Sequence, residues 1–242
     1  MTGMQDTFLA HLIELRNRLL KAIVVVVGIF VCLMPWAGNI YDILATPMLQ
    51  TLPQGTRMIA TGVVTPFFVP VKVTLMVAFV LSLPVVLYQA WAFVAPGLYA
   101  HEKRLALPMV LGSTVLFLLG MAFCYFFVFG TVFHFIAEFS PKSITPAPDI
   151  EQYLSFVMTM FMAFGLTFEV PVVVVLLVRI GVVDIAKLKE ARPYVIVAAF
   201  VIAAVITPPD VISQFMLAVP MWLLYELGIF VARAVSRPVQ AD

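Results

Sequence analysis

Four acidic side chains lie where their surroundings could give them a chemical role, and they are Glu14, Glu102, Glu169 and Glu226. Glu169 lies ten residues before Arg179 in an otherwise charge-free apolar run, about 15 Å along a helix and so near the middle of a bilayer. A carboxyl at that depth must be protonated, paired or exposed to a water-filled cavity, so it is a candidate functional group. The alternative is a neutral Glu that is hydrogen-bonded to a neighbouring helix. Glu226 lies shallower, and we interpret it as structural.

Glu14 belongs to a segment in which apolar residues recur at helical spacing. Residues 1–21 are therefore predicted to form an amphipathic segment at the cytoplasmic surface. His11, Glu14 and Arg18 share the polar face of this helix. The simpler interpretation of Glu14 is an i, i+4 ion pair with Arg18, which contributes about 0.2 to 0.5 kcal/mol. The functional interpretation is a carboxylate that meets newly made proteins at the membrane surface.

Glu102 follows an interfacial segment at 91–99, in which a Pro-Gly pair breaks the helix and aromatic residues mark the membrane boundary. Lys103 and Arg104 come directly after it. The simpler interpretation of Glu102 is therefore a solvated loop acid beside two bases.

Metal and hydrolytic chemistry have no support in the sequence. The three histidines, His11, His101 and His134, show neither H-E-x-x-H spacing nor a cluster with cysteine, so no metal site is predicted. Cys32 and Cys124 both lie in apolar runs and indicate no disulfide. A Walker phosphate-binding loop and a partnered nucleophilic serine are both missing. The sequence predicts a protein that is not an enzyme and needs no cofactor.

The elements that position these acids are membrane helices. Of the 242 residues, 63% are hydrophobic and 11% are charged, against about 25% charged in soluble domains, and the net charge of +1 indicates no nucleic-acid partner. Four apolar runs can cross about 30 Å of hydrocarbon, and two shorter ones form a hairpin around a tight turn. The predicted spans are 22–41, 73–100 with its membrane part at about 67–88, 105–137, 153–178, 193–209 and 211–225.

The predicted fold class is therefore an all-α, polytopic integral membrane protein with six transmembrane helices, of which the last two are short. Residues 22–232 form the transmembrane domain, and 233–242 form a short cytoplasmic tail. Of the 14 lysines and arginines, 11 lie on one set of connecting segments, while the other face has Arg57 and Lys142, with Lys72 just inside the second span. Positively charged segments stay in the cytoplasm, so both termini are predicted to be cytoplasmic.

Four motifs, in order along this six-span frame, resemble those of the TatC family, the multispanning receptor subunits of the twin-arginine protein translocase. They are H-L-I-E-L-R-N-R at 11–18, W-A-F-V-A-P-G-L-Y-A-H-E at 91–102, F-E-V-P at 168–171 and T-P-P-D at 207–210. The resemblance implies a concave, glove-like helical bundle in the bacterial inner membrane. It also implies a receptor that binds twin-arginine signal peptides of folded precursors and assembles, in several copies, with the single-span subunits TatA and TatB. Export would be driven by the proton gradient, without ATP.

The resemblance further assigns roles to individual residues. Recognition of the signal peptide would fall on the two acids, one aromatic ring and the neighbouring motif residues, namely Glu14, Phe93, Glu102, His11 and Arg16. Glu169 matches the intramembrane acid of the family. An arginine pair presents two planar guanidinium forks, which suit bidentate contacts with carboxylates.

Partner helices are expected to dock on the fifth span and its hairpin. Small residues there allow a second helix to approach closely, and two polar side chains can supply a hydrogen bond. The predicted docking residues for TatA or TatB are Ala199, Ala203, Thr207 and Gln214. Two alternatives stay open from the residues alone, which are a proton-coupled small-solute transporter that titrates Glu169 and a purely structural membrane scaffold.

Overall fold

The computed structural model of the chain describes residues 2–51, 58–94, 103–139, 148–207 and 210–235. Within these ranges the chain forms eleven α-helices, and the only β-type pairing there is an isolated bridge between Ile59 and Asp149. The predicted all-α class is therefore confirmed. The helices are α1 Thr2–Leu33, α2 Ala37–Thr51, α3 Thr65–Leu81, α4 Leu83–Val94, α5 Lys103–Phe123, α6 Phe129–Phe139, α7 Ile150–Phe168, α8 Val170–Arg179, α9 Ile185–Glu190, α10 Arg192–Ile206 and α11 Val211–Val235.

Several of these helices join into longer membrane spans. A 3₁₀ turn, Met34–Trp36, connects α1 to α2, and a π-helical segment, Cys124–Val128, connects α5 to α6. Four stretches of the described chain are long and apolar enough to cross a membrane, and they are Leu9–Thr46, Leu107–Phe135, Ile150–Arg179 and Val211–Ala234. A fifth is formed if α3 and α4 count as one span, and α10, with 15 residues, is shorter than a full span. The part of the chain that the structure describes therefore contains four or five full-length spans and one short apolar helix, and the chain is a multi-pass membrane protein.

The second span is broken where the sequence predicts one continuous helix. α3 and α4 meet at an angle of 61° around Ser82. The hydroxyl of Ser82 donates to the carbonyl of Phe79 at 2.8 Å, and Pro84 lacks the N–H that would continue the helical ladder. A back-bonded serine followed by a proline is a common cause of a kink. Hydropathy alone does not predict this kink.

The last helix is longer than predicted, so of the final two spans only α10 is short. The predicted span ends at residue 225, directly before Glu226. In the structure α11 continues to Val235. Arg192 of α10 donates from Nη2 to Oε2 of Glu226 at 2.6 Å. Because the carboxylate is paired with a residue of the chain, it can lie within the apolar helix α11. This pair supports the structural interpretation of Glu226.

The described helices form two compact units. The first comprises Met1–Ile43 and Phe67–Thr114, and in it α1 packs against α4. The second comprises Leu44–Pro66 and Val115–Asp242, where α11 packs against α8 and α10 and also touches α7 and α9. In this second unit the hydroxyl of Tyr225 donates to the carbonyl of Leu188 at 2.7 Å, which fixes the short helix α9 against α11.

Hydrogen bonds to Asp149 fix the start of α7 within the second unit. Asp149 caps the helix, because its Oδ1 accepts from the N–H groups of Glu151 and Gln152 at 2.8 and 3.0 Å. Its Oδ2 accepts from the hydroxyl and the N–H of Thr61, at 2.7 and 3.1 Å. The bond from the Thr61 hydroxyl and those from backbone amides lower the pKa of the Asp149 carboxyl below its usual value. The segment before α3 is thereby tied to the entrance of α7.

The crossing of α5 and α7 depends on two glycines. A Cβ added to Gly120 would lie 2.5 Å from the carbonyl oxygen of Phe164, and one added to Gly165 would overlap the ring of Phe117. Neither helix could approach the other this closely with a side chain at these positions.

Replacing Gly120 by alanine should therefore destabilise the protein by about 1 to 3 kcal/mol, because the added methyl group meets backbone rather than a flexible side chain. Thermal unfolding in detergent measures the change. Gly112→Ala is the matched control on the same helix, because nothing lies within 4 Å of a Cβ there. Equal melting temperatures for the two variants would contradict the tight crossing.

Candidate functional site

A polar contact joins α1 to α4 in the first unit. Arg18 donates from Nε and Nη2 to Oε1 of Glu14, at 2.8 and 2.6 Å. Its Nη1 also lies 3.5 Å from Oε1 of Gln89 on α4. The side chain of Glu14 is 38% exposed and that of Arg18 is 24% exposed. The predicted i, i+4 ion pair is thus present, and solvent reaches its carboxylate.

One turn nearer the N-terminus, the ring of His11 stacks on the ring of Phe93. The ring centroids lie 4.3 Å apart, and the planes are inclined by 17°. His11 lies one turn of α1 before Glu14, and Phe93 lies one turn of α4 after Gln89. The ion pair and the ring stack therefore follow one another along the same helix contact. Three predicted site residues, His11, Glu14 and Phe93, come together here.

Trp91 fixes the part of α4 that carries Gln89 and Phe93. Its side chain is buried, and its Nε1 donates to Oγ of Ser113 on α5 at 3.0 Å. A satisfied indole N–H in a buried place holds the ring in one orientation. Gln89 and Phe93 lie two residues to either side, so this anchor also positions them against α1.

Another predicted site residue, Arg16, does not join this cluster. Arg16 is exposed, and its Nη2 lies 3.4 Å from Oδ1 of the adjacent Asn17. Glu102 lies outside the residues that the structure describes, so its placement beside Glu14 stays a prediction.

Glu169 is the single residue between α7 and α8, and its side chain is only 5% exposed. Its carbonyl accepts from the N–H of Val173 at 3.0 Å, so the backbone continues into the next helix. Pro171 occupies the first turn of α8, where its missing N–H has least effect. Its Cα would lie 2.9 Å from a Cβ on Gly228, so α8 and α11 touch closely just beyond the acid. The predicted intramembrane acid is therefore a buried group at a helix break.

Three of the four predicted docking residues are buried in the structure. Ala199, Ala203 and Thr207 are buried within the second unit, in which α10 packs on α11 and α7. They serve contacts between the chain's own helices and do not present a free surface. Gln214 is half-buried, and its Nε2 donates to the carbonyl of Phe200 at 3.2 Å. Small residues permit close approach by any helix, so the sequence pattern could not tell an internal partner from an external one.

The exposed face of α10 carries different side chains, and these are Val197, Val201, Ala204 and Val205.

In the part of the chain that the structure describes, no three His, Cys, Asp or Glu side chains are grouped to hold a metal ion.

Comparison with known proteins adds a family to this geometry. A family model described as Sec-independent protein translocase protein (TatC) matches residues 10–220.

The chain belongs to the TatC family.

Individual relatives agree with this assignment. The Sec-independent protein translocase protein TatC of Escherichia coli (strain K12) is 51% identical over 233 residues, which cover 96% of this chain and 90% of the relative. The TatC of Aquifex aeolicus (strain VF5) is 39% identical over 230 residues, covering 94% and 95%. A crystal structure of a twin arginine translocase receptor, TatC, matches with a TM-score of 0.82 and 39% identity, over 94% of this chain and 100% of that one.

Within this TatC-family chain, the sequence did not predict two residues of the α1–α4 site. Gln89 and Ser113 are polar residues in long apolar runs. A polar side chain in such a run must find a partner, and that is the signal that could have pointed to them.

Proposed function

We propose that this chain is the receptor subunit of a twin-arginine translocase in the cytoplasmic membrane of a bacterium, with both termini in the cytoplasm. It binds the twin-arginine signal peptides of folded precursors, and it assembles with TatA and TatB for export driven by the proton gradient. Membership of the TatC family and the apolar spans support this function. The observation that carries it is the partly exposed carboxylate of Glu14, one turn of α1 from the His11 ring that stacks on Phe93.

The chemistry of the α1–α4 site suits an arginine pair. In the described part of the chain, the hydrogen bonds to the Glu14 carboxylate all go to Oε1, so Oε2 can accept from a peptide. Phe93 can pack on the arginine stems or stack on a guanidinium, which adds about 0.5 to 2 kcal/mol. Glu102 follows the interfacial segment 91–99, which contains Phe93, and supplies the second carboxylate in this proposal.

Crosslinking of a peptide to this site tests the function. A twin-arginine peptide with a photoreactive residue next to its arginine pair should label the segments that carry Glu14 and Phe93. A twin-lysine peptide of the same charge should label them much less, because an ammonium cannot form a planar fork. Equal labelling by both peptides would contradict the proposal. So would labelling confined to residues 58–65, which follow Arg57 on the face opposite to the predicted cytoplasmic one. A small-solute transporter would show no preference between the two peptides.

The exposed face of the α10–α11 hairpin is the proposed docking place for a TatA or TatB helix. This face is apolar, and Gln214 lies beside it with its Nε2 already bonded to the chain. Its amide oxygen, which accepts no bond from the described residues, can accept one from a partner.

Cysteine crosslinking locates this interface. Val201→Cys, placed in a chain whose exposed Cys32 has been replaced by serine, should form a disulfide with a cysteine in the partner helix. Ala203→Cys is the matched control two residues away, and it should give no crosslink because that position is buried. The docking proposal fails if crosslinks appear only on the first three spans.

A further inference from the structure

The carboxylate of Glu14 already holds a guanidinium that belongs to the chain itself. Arg18 contributes two N–H bonds to one carboxylate oxygen, at 2.8 and 2.6 Å. We infer that Arg18 is an internal competitor of the signal peptide, which holds Glu14 in the resting receptor and must release it before a peptide arginine binds with full strength. This inference rests on the proposed function and names a regulation of the same site.

The geometry explains why binding requires release. A bidentate contact uses both oxygens of a carboxylate, and both N–H bonds of Arg18 fall on Oε1. A peptide guanidinium that took only Oε2 would form half of the contact. It would also bring a second positive charge to within about 5 Å of the first, where the two repel each other. Full binding therefore needs Arg18 to move away.

Gln89 provides a place for the released side chain. Its Oε1 lies 3.5 Å from Nη1 of Arg18, so rotation of the Arg18 side chain off Glu14 and towards α4 converts this long contact into a proper hydrogen bond. The carboxamide carries no charge and does not compete for the peptide. Because the ion pair is partly exposed, separating it costs little.

Such competition lowers the apparent affinity for a peptide guanidinium by the fraction of receptor in which both oxygens of Glu14 are free. Arg18 therefore sets how tightly a twin-arginine peptide is held, and it affects a twin-lysine peptide less, because an ammonium can bind Oε2 alone. A receptor that binds its signal peptide with lower affinity releases the peptide sooner after the precursor has been handed on.

The test is peptide binding to the purified full chain in nanodiscs. Arg18→Gln should tighten binding of a twin-arginine peptide by a factor of about two to five, and that of a twin-lysine peptide by less, because an ammonium can use Oε2 alone. Arg18→Lys keeps the charge but lacks the fork, so it should give a smaller gain. Lys21→Gln is the matched control, because it removes the same charge one turn further along α1 and should change affinity less than twofold.

A double-mutant cycle isolates the contact. In a Glu14→Gln background, Arg18→Gln should have no further effect, because nothing is left to compete for. Weaker or unchanged binding in Arg18→Gln, or an equal gain in Lys21→Gln, would overturn the inference. If Glu14→Gln itself binds the twin-arginine peptide as wild type does, the proposed function fails instead. The two failures are therefore distinguishable.

Discussion

Replacing Glu14 by alanine should weaken binding of a twin-arginine peptide about 30-fold or more. Truncating one partner of a partly desolvated charge pair typically costs about 2 to 5 kcal/mol, which corresponds to this loss. Glu14 is flanked by Arg16 and Arg18, so the local surface has no net negative field that would attract cations indiscriminately. The contribution of Glu14 must therefore come from directed hydrogen bonds to a guanidinium. Glu102→Ala should show a loss of similar size.

The double variant should lose less than the sum of the two single losses, because both acids contact one short motif. Fluorescence anisotropy with a labelled peptide and purified receptor in nanodiscs measures all three affinities. Glu190→Ala is a suitable control, since it removes an exposed acid from α9, on another segment that is predicted to be cytoplasmic. If Glu190→Ala weakens binding as much as Glu14→Ala does, the effect is one of general charge, and Glu14 returns to its simpler role as a surface ion pair.

Replacing Glu169 should affect export according to the charge that is introduced. Its side chain is 5% exposed at the break between α7 and α8, so Glu169→Lys places an ammonium in a buried apolar environment. A lysine near the centre of a membrane helix costs about 2.5 to 3.5 kcal/mol. Glu169→Gln keeps the shape and most of the hydrogen-bonding capacity. We therefore expect Glu169→Gln to retain much more export than Glu169→Lys.

Export of a folded twin-arginine reporter measures this difference, with the amount of receptor in the membrane determined in parallel. Normal receptor levels with full loss of export in both variants would contradict the expected order. That result would show that an ionisable proton at Glu169 is itself required.

Local spacing was sufficient to predict one feature of the site. The i, i+4 interval between Glu14 and Arg18 predicts their pairing, and the structure contains this pair. The prediction depends only on residues that are close together in the chain. The membrane class likewise follows from summed hydropathy, which is insensitive to the exact helix ends.

The rest depended on contacts between residues far apart in sequence. Gln89 meets Arg18 across an interval of 71 residues, and Arg192 meets Glu226 across 34. Neither pair can be inferred without knowing which helices are neighbours and at what height. The buried position of Ala203 has the same cause, since α11 decides which face of α10 is covered. A small-residue pattern does not carry that information.

The most direct test of signal-peptide recognition compares a twin-arginine peptide with a twin-lysine peptide, on the wild-type receptor and on the variant with both Glu14 and Glu102 replaced by alanine. The wild type should bind the twin-arginine peptide at least tenfold more tightly, because only guanidinium groups form directed forks with carboxylates, about 1.4 kcal/mol being sufficient for that ratio. The double variant should bind both peptides weakly and about equally. An undiminished preference for arginine in the double variant would show that these carboxylates do not read the arginine pair.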